Sequence, residues 1–209
     1  MHTHFLRWER FPELDSPLIW HGFSLRAPLE PEVLRAVLTT ELREKGIPVA
    51  AWVEAAQPHG NQVAVVRSPA TRYFPGADGL LTALRRVLLA VRVADCAAVY
   101  LLDPVRKVIG LLHSGRKGTA WNIVGAAIAQ MKRQWGCRPW DIRLQISPCI
   151  RPPYYEVDFA AEIQRQARRA GVVHVYDSGR CTAADPERYD SYRRDRGKTG
   201  RMYAFILLR

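Results

Sequence analysis

No two cysteines of this sequence stand close enough to form a CxxC unit. The four thiols lie apart, at 96, 137, 149 and 181, which argues against a structural zinc finger or a disulfide framework and leaves free thiols in a reducing compartment as the expectation. Long apolar runs are missing as well. Arg7, Glu9, Arg10, Glu13 and Asp15 interrupt the first twenty residues, and no later run approaches a membrane-spanning length. A cytoplasmic protein with no membrane partner is expected. Lysine is confined to Lys45, Lys107, Lys117, Lys132 and Lys198, and asparagine to Asn61 and Asn122.

Arginine therefore carries the formal net charge of +11. Such a field favours anionic partners: nucleic acid, phosphorylated small molecules or free phosphate. The basic residues are dispersed, and no RRM, KH or helix-turn-helix pattern accompanies aromatic residues such as Trp135, Tyr155 and Tyr192, so a nucleic-acid partner is not favoured. A chain of 209 residues with 48% hydrophobic and 24% charged side chains suits one core, and residues 1–209 read as a single domain.

From Pro31, Val33, Leu34, Val37, Leu38 and Leu42 recur at helical spacing until Gly46 and Pro48 stop the run. Short β-rich runs follow at 49–53 and 62–66, with His59 in the turn between them. Strands are expected at 86–94, 98–102, 107–112, 142–146, 172–176 and 202–208. Helices are expected after Gly115 to about Trp135, closed by Gly136, and over 156–170, closed by Gly171. Partly alternating apolar runs imply sheets covered on both faces, and the irregular mixture of strands and helices points to an α+β sandwich rather than a doubly wound fold. The run Arg193–Lys198 is expected to be a mobile loop.

Zinc favours imidazole and thiolate, and a catalytic site commonly has three protein ligands with a fourth position open. His59, Cys96 and His113 supply that donor set, with Cys96 and His113 at strand ends where separate strands converge. On spacing alone the metal reading does not lead: a loop histidine is usually a surface or hydrogen-bonded residue, and a cysteine at a strand end usually belongs to the core. The loop Ser114-Gly115-Arg116-Lys117-Gly118-Thr119 combines two glycines, two cations and a following helix. It reads either as a phosphate cradle or as a tight turn with two solvated cations. Arg194 and Arg201 are further anion candidates in a chain where most arginines belong on the surface. Asp95 and Asp78 can orient ligands, act as acid or base, or cap turns. Cys149 after Pro148 raises a Cys/His hydrolase, although nothing places a base beside it. The His-x-Glu and Pro-Cys-x-x-Cys signature of cytidine-type deaminases is absent.

Several segments in this order resemble the YfiH-type family: Gln57-Pro58-His59-Gly60-Asn61-Gln62-Val63, Ala94-Asp95-Cys96 and His113-Ser114-Gly115-Arg116-Lys117-Gly118-Thr119. Gly22–Arg26, Ala77–Leu80, Pro148-Cys149-Ile150, Tyr155-Glu156-Val157, Cys181-Thr182, Ser191–Arg194 and Thr199–Met202 add to the likeness. That family carries laccase-domain or polyphenol oxidase names, and its members are regarded as purine nucleoside phosphorylases with adenosine deaminase activity. The resemblance implies a four-layer α/β/β/α sandwich with mixed sheets and one zinc ion on His59, Cys96 and His113. Purine nucleoside and inorganic phosphate would be the substrates, and Asp95, on the reading of the residues themselves, is expected to join the triad as a catalytic residue. Read from the residues themselves rather than from the resemblance, Gly115, Arg116, Lys117, Gly118, Thr119 and Arg194 are the expected lining of a phosphate or substrate site. Copper is not expected, because a multicopper centre needs many imidazoles. This chain has six histidines, of which His2 and His4 lie in an N-terminal tail expected to be mobile. The chain departs from the common His-Ala-Gly-Trp-Arg-Gly pattern at Ser114, Arg116 and Lys117, and from the usual Gly-Pro at Ser147-Pro148. Substrate fit is more exposed to these departures than metal binding.

Overall fold

The computed structural model describes residues 7–209, so His2 and His4 lie outside the described residues. In chain order the elements are β1 (Trp8–Glu9), β2 (Ile19–Ser24), α1 (Pro31–Glu44), β3 (Ala51–Ala55), β4 (Val63–Val65), β5 (Tyr73–Phe74), β6 (Gly79–Thr82), β7 (Val87–Val93), β8 (Ala97–Asp103) and β9 (Val108–Ser114). They continue with α2 (Arg116–Ala120), α3 (Ile123–Trp135), β10 (Arg143–Ile146), α4 (Phe159–Arg169), β11 (His174–Asp177) and β12 (Met202–Leu208).

Strands β8, β9 and β12 are buried at every position, which is why they read as apolar runs rather than alternating ones. Two mixed sheets result, one in the order β1-β2-β12-β7-β3-β5 and the other β11-β10-β8-β9-β6-β4. The pleat sorts each strand between two cores. Along β7, Leu89 and Val91 face the inter-sheet core with Tyr100, Leu111 and Ile206, while Leu88 and Ala90 face outward. There they meet Leu34, Leu38 and Leu42, one stripe of α1 at four-residue spacing. On the far side Ile128, Met131 and Ile163 of α3 and α4 cover Val99, Leu101 and Leu144. The layers are thus α/β/β/α, as the resemblance implied. Among the described residues no helix is long and apolar enough to cross a membrane.

The single helix expected after Gly115 is two. Asn122 takes a left-handed conformation (φ 56°), and its side chain accepts a hydrogen bond from the Gly125 N–H at 3.0 Å, ending α2 and capping α3. α4 starts at Phe159 rather than Glu156 because Asp158 caps it, accepting from the Ala161 N–H at 3.0 Å. The sequence reading found none of β1, β2, β5 and β6. β1 and β5 have two residues each, too few to show a period, and β2 carries His21 and Gly22 in its middle. The run 193–198, expected to be mobile, is wound into turns, with the Asp195 N–H bonded to the Ser191 carbonyl and the Gly197 N–H to that of Tyr192.

Candidate active site

Asp103 starts the site from a distance. Its carboxylate accepts the N–H groups of Val105 and Arg106 at 2.9 and 2.8 Å, closing a tight turn that fixes the β8–β9 register with Ala98 opposite His113. Cys96, just before β8, therefore emerges beside the end of β9. On the other flank β6 pairs Gly79 with Leu112, so Asp78 lies next to His113. The β3–β4 connection then brings His59 over this end through two left-handed residues, Gln57 (φ 65°) and His59 (φ 66°).

The donor atoms of His59, Cys96 and His113 lie within 4.8 Å of one another. The two imidazole rings meet edge to face at 4.8 Å between centroids. His113 is buried, Cys96 half-buried and His59 exposed, so the cluster opens on the His59 side. Among the described residues this is the one His/Cys/Asp/Glu group placed to hold a metal ion. Asp78, wholly buried, accepts hydrogen bonds from Nδ1 of His113 and the backbone N–H of His59, each at 2.9 Å, and from the Gly60 N–H at 2.6 Å. With its Nδ1 proton on Asp78, His113 has Nε2 left for a metal.

Burial opposes ionisation of the Cys96 thiol, but hydrogen bonds from His113 and His59 outweigh it and bring the pKa down to about 6. Burial likewise opposes the His113 cation, while hydrogen bonds to Asp78 and Cys96 raise it to about 9. A thiolate between two imidazoles is the charge arrangement that a divalent cation replaces, and the donor set fits zinc.

The triad lies in the wall of a cavity of about 1030 Å³. Arg92, Arg116, Arg193, Arg196 and Arg201 line it, with Asp95 as the one acid, and Tyr155, Phe159 and Tyr192 contribute aromatic faces. Asp95, at φ 87°, sits where the chain passes from β7 in one sheet to β8 in the other. Its two oxygens accept the Thr182 hydroxyl and the Arg193 N–H, each at 2.7 Å.

Of the residues expected around a phosphate, Arg116 lines the cavity; Lys117 points to solvent outside its lining. The two glycines serve close packing. A Cβ at Gly115 would fall 2.6 Å from Cys96 Sγ, and one at Gly118 2.7 Å from the Gly60 carbonyl oxygen. Thr119 is buried, its hydroxyl bonded to that of Ser114 at 2.8 Å. Arg194 is a latch: its guanidinium donates to the carbonyls of Thr182 (3.0 Å) and Tyr189 (2.9 Å) and pairs with Asp195. The sequence reading did not single out Arg92, Arg193 or Arg196 for this cavity. Arginine is too common in this chain for composition to mark the ones that converge. Cys149 is wholly buried, burial pushes its thiol up to about 12, and the charged groups acting on it are Arg151, Asp177 and Asp158, none of them an imidazole base.

Residues 30–164 and 157–209 match the family model described as multi-copper polyphenol oxidoreductase laccase. The chain is 34% identical over 199 residues to purine nucleoside phosphorylase YlmD of Geobacillus stearothermophilus, covering 76% of this chain and 73% of the relative. It is 31% identical over 235 residues to purine nucleoside phosphorylase YlmD of Bacillus subtilis, covering 94% and 82%. The crystal structure of the Geobacillus stearothermophilus YlmD superposes with a TM-score of 0.86 at 27% identity, over 97% of this chain and 96% of that one. That of hypothetical protein YfiH from Bacillus licheniformis superposes at 0.80 and 25%, over 94% and 98%. The chain therefore belongs to the multi-copper polyphenol oxidoreductase laccase family, among relatives named purine nucleoside phosphorylase.

Proposed function

We propose that the chain is a zinc-dependent purine nucleoside phosphorylase of the cytoplasm, acting on adenosine, inosine or methylthioadenosine, and that the same cavity deaminates adenosine. The observation that carries this reading is the His59–Cys96–His113 cluster facing a cavity with five arginines and three aromatic rings. His59, Cys96 and His113 would hold the zinc, which when bound supplies Lewis-acid stabilisation of negative charge on a substrate oxygen. Asp78 holds both histidine segments in place. The arginines attract and orient phosphate through charge-assisted hydrogen bonds. Tyr155, Phe159 and Tyr192 offer faces on which a purine ring stacks. In phosphorolysis a phosphate oxygen bonds to ribose C1′ as the bond from C1′ to the purine nitrogen breaks, and the bonding pair leaves with the base. Asp95, with both oxygens engaged, shapes the cavity wall by holding Thr182 and Arg193.

The test combines elemental analysis with turnover of adenosine, inosine and methylthioadenosine, with and without phosphate, in the wild type and in Cys96→Ala. One zinc per chain, base release that requires phosphate, adenosine deamination that persists without it, and loss of metal and turnover in the variant are expected. Base release without phosphate would replace phosphorolysis by hydrolysis. Phenol oxidation by copper-loaded protein with no nucleoside turnover would overturn the reading altogether.

A further inference from the structure

Glu156 stands between two of the cavity's arginines. Its Oε1 lies 3.2 Å from Nη1 of Arg116 and its Oε2 3.8 Å from Nη2 of Arg193. The three side chains come from three parts of the chain: α2, the approach to α4, and the turns before β12. The contact thus joins separate elements at the edge of the cavity, which Arg116 and Arg193 line.

One carboxylate offering an oxygen to each of two guanidinium groups occupies the position that a tetrahedral anion takes between paired arginines. The side chains of Arg116, Glu156 and Arg193 are 65%, 54% and 62% exposed, and ion pairs so open to water are weak and readily exchanged. Both cations are rooted in the metal-site framework. Arg116 follows Gly115, which packs against Cys96 Sγ. Arg193 has its N–H bonded to Asp95 at 2.7 Å, next to Cys96, and its guanidinium over the Tyr155 ring at 5.4 Å.

We propose that Arg116 and Arg193 form a phosphate-group site at the cavity mouth and that Glu156 is its internal competitor, displaced when the phosphate group binds. The ligand is a phosphate group, supplied either as inorganic phosphate or as the 5′-phosphate of a nucleoside. The choice of ligand rests on the phosphorolysis reading; the geometry of the site does not. Exchange of one anion for another involves no covalent step, and it makes Glu156 a determinant of phosphate affinity that acts by repulsion once the ligand is in place.

The experiment titrates the metal-loaded full chain by calorimetry at low ionic strength, with inorganic phosphate and separately with inosine 5′-monophosphate. Wild type is compared with Glu156→Gln, Arg116→Gln and Arg193→Gln, with thermal melts to check folding. Glu156→Gln is expected to tighten binding about threefold to fivefold, and each arginine variant to weaken it by at least as much. Added sodium chloride should narrow the differences. An effect with inorganic phosphate identifies the free anion as ligand; an effect confined to the nucleotide identifies the 5′-phosphate of a nucleotide as ligand. Unchanged or weakened binding in Glu156→Gln, or no binding of either probe to wild type, would overturn the site. A chain that binds phosphate in this order yet releases no base fails the proposed function alone. One that phosphorolyses nucleosides with phosphate affinity indifferent to Glu156 fails this inference alone.

Discussion

The carboxylate of Asp78 accepts a hydrogen bond from Nδ1 of His113 at 2.9 Å. Since it also takes the N–H groups of His59 and Gly60, one buried group sets the orientation of one candidate ligand and the backbone of another. Asp78→Asn keeps the size but removes the charge and one acceptor. Competition with a chromophoric chelator should show zinc affinity reduced about tenfold to a hundredfold, and the buried acceptor lost to three donors should cost about 1–3 kcal/mol of stability. Full affinity in the variant would reduce Asp78 to a turn cap.

Gly115 makes a separate demand on the same site. Its φ of −94° suits any residue, so the need for glycine there is steric: a Cβ would lie 2.6 Å from Cys96 Sγ and 3.6 Å from Cδ2 of His59. Gly115→Ala should push the thiolate aside, costing about 1–3 kcal/mol of stability and at least tenfold in zinc affinity. Urea unfolding and chelator competition measure the two effects. If the methyl group is accommodated with metal affinity intact, the packing has more room than these contacts allow.

Some of this was legible in the sequence and some was not, for physical reasons. Strands β7, β8, β9 and β12 declare themselves because both faces are buried, and α1 because Leu34, Leu38 and Leu42 recur every four residues. β6 is just as buried, yet its four residues follow directly on the Asp78 turn and leave no pattern to read. The candidate ligand triad is invisible to spacing, since it is assembled by the β8–β9 and β6–β9 registers and by a loop from between β3 and β4. The resemblance, through the His-Gly turn, the Ala-Asp-Cys segment and the histidine before the glycine loop, was what drew these residues together. The cations that line the cavity come from β7, α2 and the turns at 192–201; the sequence pointed to Arg116 and Arg201 but not to Arg92, Arg193 or Arg196, because arginines converging from separate elements leave no local pattern.

Gly22 links the fold to a single aromatic ring. A Cβ there would stand 2.4 Å from Cζ of Phe205, its cross-strand partner in the β2–β12 pair. Phe205 is itself packed in the core beneath α1. Gly22→Ala should destabilise the chain by about 1–3 kcal/mol through overpacking, and Phe205→Leu combined with it should recover part of that loss. Additive losses in the double variant, measured by urea unfolding, would rule out the contact as the cause.

His21 gives stability a pH dependence of known sign. Its ring is buried, stacked on Phe11 at 6.0 Å, and Nε2 accepts the Phe11 N–H at 2.9 Å, which the neutral ring alone can do. Burial first, then the charge of Arg10, lowers its pKa from 6.5 to about 4, with Asp15 opposing. Between those values the unfolded chain binds a proton that the folded chain refuses. The stability held by neutral His21 is therefore whole above about pH 6.5, falls as pH drops towards 4, and loses nothing further from this group below that. At about 1.4 kcal/mol per unit the total is about 3 kcal/mol. In His21→Gln the amide oxygen can accept the same N–H but does not titrate, so stability should depend less on pH between 7 and 4 than in wild type. Parallel profiles from urea unfolding across that range would show that His21 is protonated in the fold without cost.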